Sequence, residues 1–164
     1  MKPDDLLKML REFYRARSTM RNRHAASARF VFDYDINNTY QYILTREDVH
    51  LRWLYDVIAE HGGTAEDAPE PQLQVPGKKE EAQSTVLRED RDQAQAFVDS
   101  WRDRVEKVTN ARVRTMLRVI LGEILEQKRF FAQGLAGRKD LLGRRADGAG
   151  TDGVVLPTRW VGQP

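Results

Sequence analysis

Residues 40–61, Tyr40-Gln-Tyr-Ile43-Leu-Thr-Arg-Glu47-Asp-Val-His50-Leu-Arg-Trp-Leu54-Tyr-Asp-Val57-Ile-Ala-Glu-His61, decide the fold. Tyr40, Ile43, Glu47, His50, Leu54 and Val57 recur at alternating spacings of 3 and 4. That period is one face of a helix, and its apolar members mark it as the face turned to a core. Glu47 and His50 sit in the middle of it. An unpaired carboxylate buried in a core costs several kcal/mol, so Glu47 requires a cation, a proton or a hydrogen-bonding partner.

Glycine and proline set the frame around this stretch. Neither occurs between Pro3 and Gly62, they cluster from Gly62 to Gly77, and they vanish again until Gly122. The chain therefore reads as two helix-compatible blocks, 4–61 and 84–133, with a linker between them and a Gly-rich tail after them. Each block is too long for one compact helix. Asp33 to Asn38 is the expected break in the first and Val108 to Ala111 in the second, because Asp and Asn favour turns and caps. Four helices follow: A over 4–32, B over 38–61, C over 84–108 and D over 111–134. A helix of 24 residues is ~36 Å long. The linker 62–83 can stretch ~70 Å, enough to run the length of a bundle. Two short turns flanking one long connection predict an all-α four-helix bundle with a single long B–C crossover. The bundle takes residues 1–135, and 136–164 form a spacer and tail.

Composition removes several function classes. The 164 residues contain no cysteine, which excludes disulfide scaffolds, thiolate metal sites and cysteine nucleophiles. With only His24, His50 and His61, a metal site would have to be rich in carboxylates. Mean hydropathy is -0.65 and no apolar run approaches about 18 residues, so no membrane-spanning helix is expected. The N-terminus is acidic where a secretion signal would be basic and then apolar, which points to a cytoplasmic protein. A net charge of +2 does not by itself predict a nucleic-acid binder.

Glu47-Asp-Val-His50 followed by Leu-Arg-Trp53-Leu, the exit Ile58-Ala-Glu-His-Gly62-Gly63 and the crossover resemble the ferritin-like superfamily, nearer its rubrerythrin-type branch than storage ferritin. The resemblance covers roughly residues 4–134. It implies a carboxylate-bridged iron centre, with manganese as the other candidate metal, and oxidoreductase chemistry with oxygen or peroxide, or of ferroxidase type. It also implies a helix-A glutamate some 33–35 residues before the Glu of Glu-x-x-His. Glu12, 35 residues before Glu47, takes that part, so Glu12, Glu47 and His50 form the first half-site. The second half departs from the pattern. Aligning Arg129-Phe130-Phe131 with Arg52-Trp53-Leu54 puts Gln127 opposite His50 and Ile124 opposite Glu47. Glu123 and Glu126 are the substitutes on helix D, and Glu89 and Asp90 the candidates on helix C.

Two further features carry readings of their own. Helix A holds Arg11, Arg15, Arg17, Arg21, Arg23 and Arg29. A solvated face or ion pairs between subunits is the favoured account, and a nucleic-acid surface the lesser one. Trp53, Trp101, Phe97, Tyr14, Phe130 and Phe131 read as core or homodimer packing. The tail joins the spacer 143–153 to an apolar segment, 154–164, holding Arg159 and Trp160. One reading is a peptide that docks on a protein partner, as in outline do the targeting tails of ferritin-like proteins packed into nanocompartment shells. The other is a tail that folds back on its own bundle or on a neighbouring subunit. The competing function is a non-catalytic helical adaptor or cargo protein that keeps the fold without the metal.

Overall fold

A computed structural model describes residues 1–138, 141 and 142, so the spacer and the 154–164 segment lie outside the described residues. Four helices account for the structure: α1 (Pro3–Ala28), α2 (Tyr34–Glu60), α3 (Lys79–Glu106) and α4 (Ala111–Leu135). The all-α bundle with one long connection is as expected, but three boundaries differ. Helix α1 ends four residues early. The first turn occupies 29–33, and α2 begins four residues early. Asp33 does not break the helix; it caps it, its Oδ1 accepting from the Asp35 and Ile36 N–H groups at 3.0 and 3.3 Å. Asn110 caps α4 in the same way, accepting from Val113 N–H at 3.1 Å. Helix α3 starts at Lys79, five residues before the expected position. The Asp33 cap is expected to be worth about 1 kcal/mol. Asp33→Ala should show that loss in chemical denaturation, and an unchanged midpoint would deny the cap its role.

Helix α2 stops at a Schellman motif. Gly62 takes φ +74°, a conformation that side chains disfavour. Gly62 N–H then reaches Ala59 O and Gly63 N–H reaches Ile58 O, both at 2.9 Å. From there the crossover climbs α1. Arg11 Nε donates to Thr64 O at 3.1 Å, Tyr14 to Asp67 at 2.6 Å, and Asn22 to Ala68 O at 2.7 Å, while Ser18 Oγ accepts from Ala68 N–H at 2.9 Å. Gln83, in the first turns of α3, accepts from Phe32 and Asp33 N–H groups at the far end of α1. The connection therefore runs the bundle's full length. It makes α1 antiparallel to both α2 and α3, and α4 antiparallel to α2 and α3. This arrangement is compatible with a ferritin-like fold.

The core lies in two apolar clusters. The lower holds Leu10, Phe13, Leu54, Ile58, Val98, Trp101, Leu117 and Ile120. There Phe13 packs edge-on against Trp101, with ring centroids 4.8 Å apart. The upper holds Ile36, Tyr40, Ile43, Leu87, Phe130 and Phe131. Trp101, Phe97, Tyr14, Phe130 and Phe131 are buried core residues and Trp53 is half-buried. Each fully buried large side chain contributes roughly 1.5–3 kcal/mol. Buried polar residues Arg17, Glu47, His50 and Gln127 come from α1, α2 and α4 at the join of the two clusters.

Most helix-A arginines are consumed within the fold. Arg11 holds the crossover, Arg15 lies 3.9 Å from Glu66, Arg21 pairs with Asp48, and Arg23 pairs with Glu89 and Asp90. Among the described residues no helix is long and apolar enough to cross a membrane.

Candidate functional site

The core stripe of α1 runs Leu6, Leu10, Phe13, Arg17, Met20, His24, at spacings of 3 and 4. Arg17 therefore enters the core with its apolar neighbours and is 0 % exposed. Its Nη1 donates to Glu47 Oε1 at 2.7 Å and lies 2.9 Å from Met20 Sδ. Its Nη2 reaches His50 Nδ1 at 3.2 Å and Gln127 Oε1 at 3.4 Å. The same Glu47 oxygen accepts a second bond, from His24 Nδ1 at 2.8 Å. His50 Nε2 meets Glu123 Oε2 at 2.8 Å, and Arg46 forks onto both Glu123 oxygens at 3.0 and 2.7 Å. A neighbouring group extends the network: Asp90, fully buried, accepts from Arg23 Nε at 3.0 Å and from the Tyr40 hydroxyl at 2.7 Å.

Donor and acceptor rules fix the protons. Arginine only donates, so His50 Nδ1 is a bare acceptor and the ring proton sits on Nε2, donated to Glu123. Protonating Nδ1 would aim an N–H at a guanidinium. Burial and then Arg17 accordingly push His50 down to about 4, against the pull of Glu123. His24 moves the other way. Burial works to lower its pKa, but Glu47 and then Asp90 outweigh burial and raise it. Glu47 is lowered: burial acts to raise it, and His24 and Arg17 overcome burial. Glu123 is lowered too, the Arg46 hydrogen bonds outweighing burial. Three guanidiniums, Arg17, Arg23 and Arg46, together with the His24 imidazole, face the carboxylates of Glu47, Glu89, Asp90 and Glu123.

Of the expected ligands, the structure gathers Glu47, His50 and Glu123. Glu12 lies on the surface, paired with Arg104. Glu47 meets α1 at Arg17 and His24, and Arg17 is the nearer of the two to Glu12. Glu12 is about 7.5 Å further down the axis and about 140° round it. Asp90 and Glu89 are displaced as well. Gln95 meets Lys128 at 2.7 Å and Glu106 meets Arg118. Asp90 is therefore level with about residue 133, roughly 15 Å along the axis from Glu123. Glu126 turns outward, 3.8 Å from Arg129. Gln127 and His50 both meet Arg17 Nη2, and Ile124 is fully buried.

This arrangement does not fit a di-metal centre. Arg17 brings a fixed positive charge to the carboxylate and imidazole that would be the first half-site, and the remaining carboxylates lie elsewhere. Among the described residues no group of three or more His, Asp or Glu side chains is placed to hold a metal ion. What the cluster can do is bury Arg17 against Glu47, His50 and Gln127, joining α1, α2 and α4, while Arg17 Nε, His24 Nε2 and Glu47 Oε2 stay buried without a hydrogen bond. The chain matches no protein-family model, no curated protein and no solved structure at a significant level.

Proposed function

We propose that this chain is a metal-independent, non-catalytic helical adaptor on a ferritin-like bundle. The reading rests on Arg17. A guanidinium buried among Glu47, His50 and Gln127 supplies the positive charge that a metal would otherwise bring, and it does so without an open coordination position or a route for electrons. The bundle then serves to present surfaces. The apolar 154–164 segment, with Arg159 and Trp160, is the part of the sequence suited to dock on a second protein, because Trp and Arg are favoured anchors in interfaces. A homodimer in the cytoplasm, or the shell of a nanocompartment, is the setting in which such a peptide would act.

Metal content decides the matter. Protein purified without chelators from iron-replete cells is expected to carry near zero iron and manganese per chain. Its thermal midpoint should be the same with ferrous iron, with manganese and with EDTA. Close to two irons per chain, or a midpoint that climbs with added metal, would overturn the adaptor reading in favour of an iron-dependent oxidoreductase centred on Glu47, His50 and Glu123.

A further inference from the structure

The groups around Arg17 share a property that goes beyond pairing one side chain. Glu47 Oε1, His50 Nδ1 and Gln127 Oε1 all point acceptor lone pairs at one guanidinium, from two helices, α2 and α4, that face α1. An arginine can only donate, so the shell it selects is a shell of acceptors, here oxygen and nitrogen with the Met20 thioether sulfur at 2.9 Å beside them. Such a shell is also what a small cation coordinates. Two details reinforce the point. His50 holds its Nε2–H on Glu123 at 2.8 Å, the carboxylate–histidine pairing that orients an imidazole for a metal on its other nitrogen. The second oxygen of Glu47, Oε2, is buried and makes no hydrogen bond within the protein.

From this convergence we infer that Arg17 is a tethered cation plugging a divalent-metal pocket formed by Glu47, His50 and Gln127, and that removing its side chain opens that pocket to a free ion. The inference rests on the adaptor reading, since the pocket of the natural chain is taken to be filled by its own residue. The ligand class follows from the donors. One carboxylate, one imidazole and one amide oxygen suit a borderline divalent ion such as cobalt(II) or iron(II) over calcium, which prefers an all-oxygen shell. Arg17→Ala leaves the shell and a space. Arg17→Glu adds a carboxylate to it and, without metal, sets two carboxylates face to face.

The probe is cobalt(II), whose visible absorption reports its ligands. Both variants should be less stable than wild type in EDTA. With cobalt at ~100 times its Kd each should gain about 5–10 °C in thermal midpoint, together with a visible band. Wild type should gain neither, and Arg17→Ala/His50→Ala should lose both. If Arg17→Ala does not fold alone, its helicity is followed as cobalt is added, and recovery is the expected result. The pocket is overturned if neither variant responds, if wild type responds equally, or if the response survives loss of His50. Iron found in the wild-type chain defeats the adaptor reading whatever the variants do, whereas variants silent to cobalt defeat the pocket and leave the adaptor standing.

Discussion

Arg17→Met should cost about 3–5 kcal/mol, the range for breaking a buried ion pair by removing one partner. Methionine keeps the length of the side chain and its apolar contacts, so little of the loss comes from a cavity. The loss comes from Glu47, whose carboxylate keeps only the His24 hydrogen bond. His50 Nδ1 and Gln127 Oε1 lose their donor as well. Arg17→Met/Glu47→Leu removes the orphaned charge with its partner and should recover most of the loss, because apolar replacements of buried ion pairs are often neutral or stabilising. Urea denaturation of wild type, both single variants and the double variant gives the coupling energy. A single-variant loss under about 1 kcal/mol would mean that Arg17 is not the centre of the core's charge balance.

Stability should also peak near pH 6.5 and fall on both sides. Burial and Arg17 hold the folded His50 at about 4, while in the unfolded chain it titrates at its ordinary 6.5. Between those values the unfolded state binds the extra proton. Stability therefore drops as pH falls through that window, by up to about 3 kcal/mol. Glu47 and Glu123, both lowered, add their own loss only below the ordinary 4.5 of a glutamate, so the range from 6.5 to 4.5 belongs to His50. His24 has the opposite sign. Its pKa is raised in the fold by Glu47 and Asp90 against burial, so its contribution is complete below 6.5 and fades as pH rises through the folded value. Denaturation midpoints from pH 4.5 to 9 check both arms. His50→Gln should flatten the acid arm and His24→Asn the alkaline one; an acid arm unchanged in His50→Gln would refute the assignment.

Much of this was legible in the sequence, and the exceptions have physical causes. The phase of helix B placed Glu47 and His50 in the core, and the Gly/Pro clusters located the crossover. The half-repeat put Gln127 opposite His50. Arg17 and His24 belong to no motif, although they lie on the same 3–4 stripe as Phe13 and Met20. Arginine is almost never fully buried without a partner, so its place among five other arginines suggested a solvated face. The stripe itself was the signal, and it excludes Glu12. The first turn closes earlier than the Asp and Asn run suggests, over 29–33. Asp33 caps α2 there, and Glu47 ends within hydrogen-bond reach of Arg17 and His24. No pattern in one sequence reveals that a guanidinium and a carboxylate thirty residues apart will share a level, because that depends on where the intervening turn closes.

The crossover's route bears on how the molecule is assembled. Its last hydrogen bond to α1 is made at Ala68, and α3 begins at Lys79. Between them about ten residues act mainly as a tether joining two helical hairpins. A tether of that length sets the local concentration of one hairpin around the other in the millimolar range. Each hairpin has its own short, capped turn, and the tether turns their meeting into an intramolecular event. Severed between Pro69 and Gly77, the chain would become two pieces that recognise each other through the buried charges at their seam, a natural split point for a reconstituting pair.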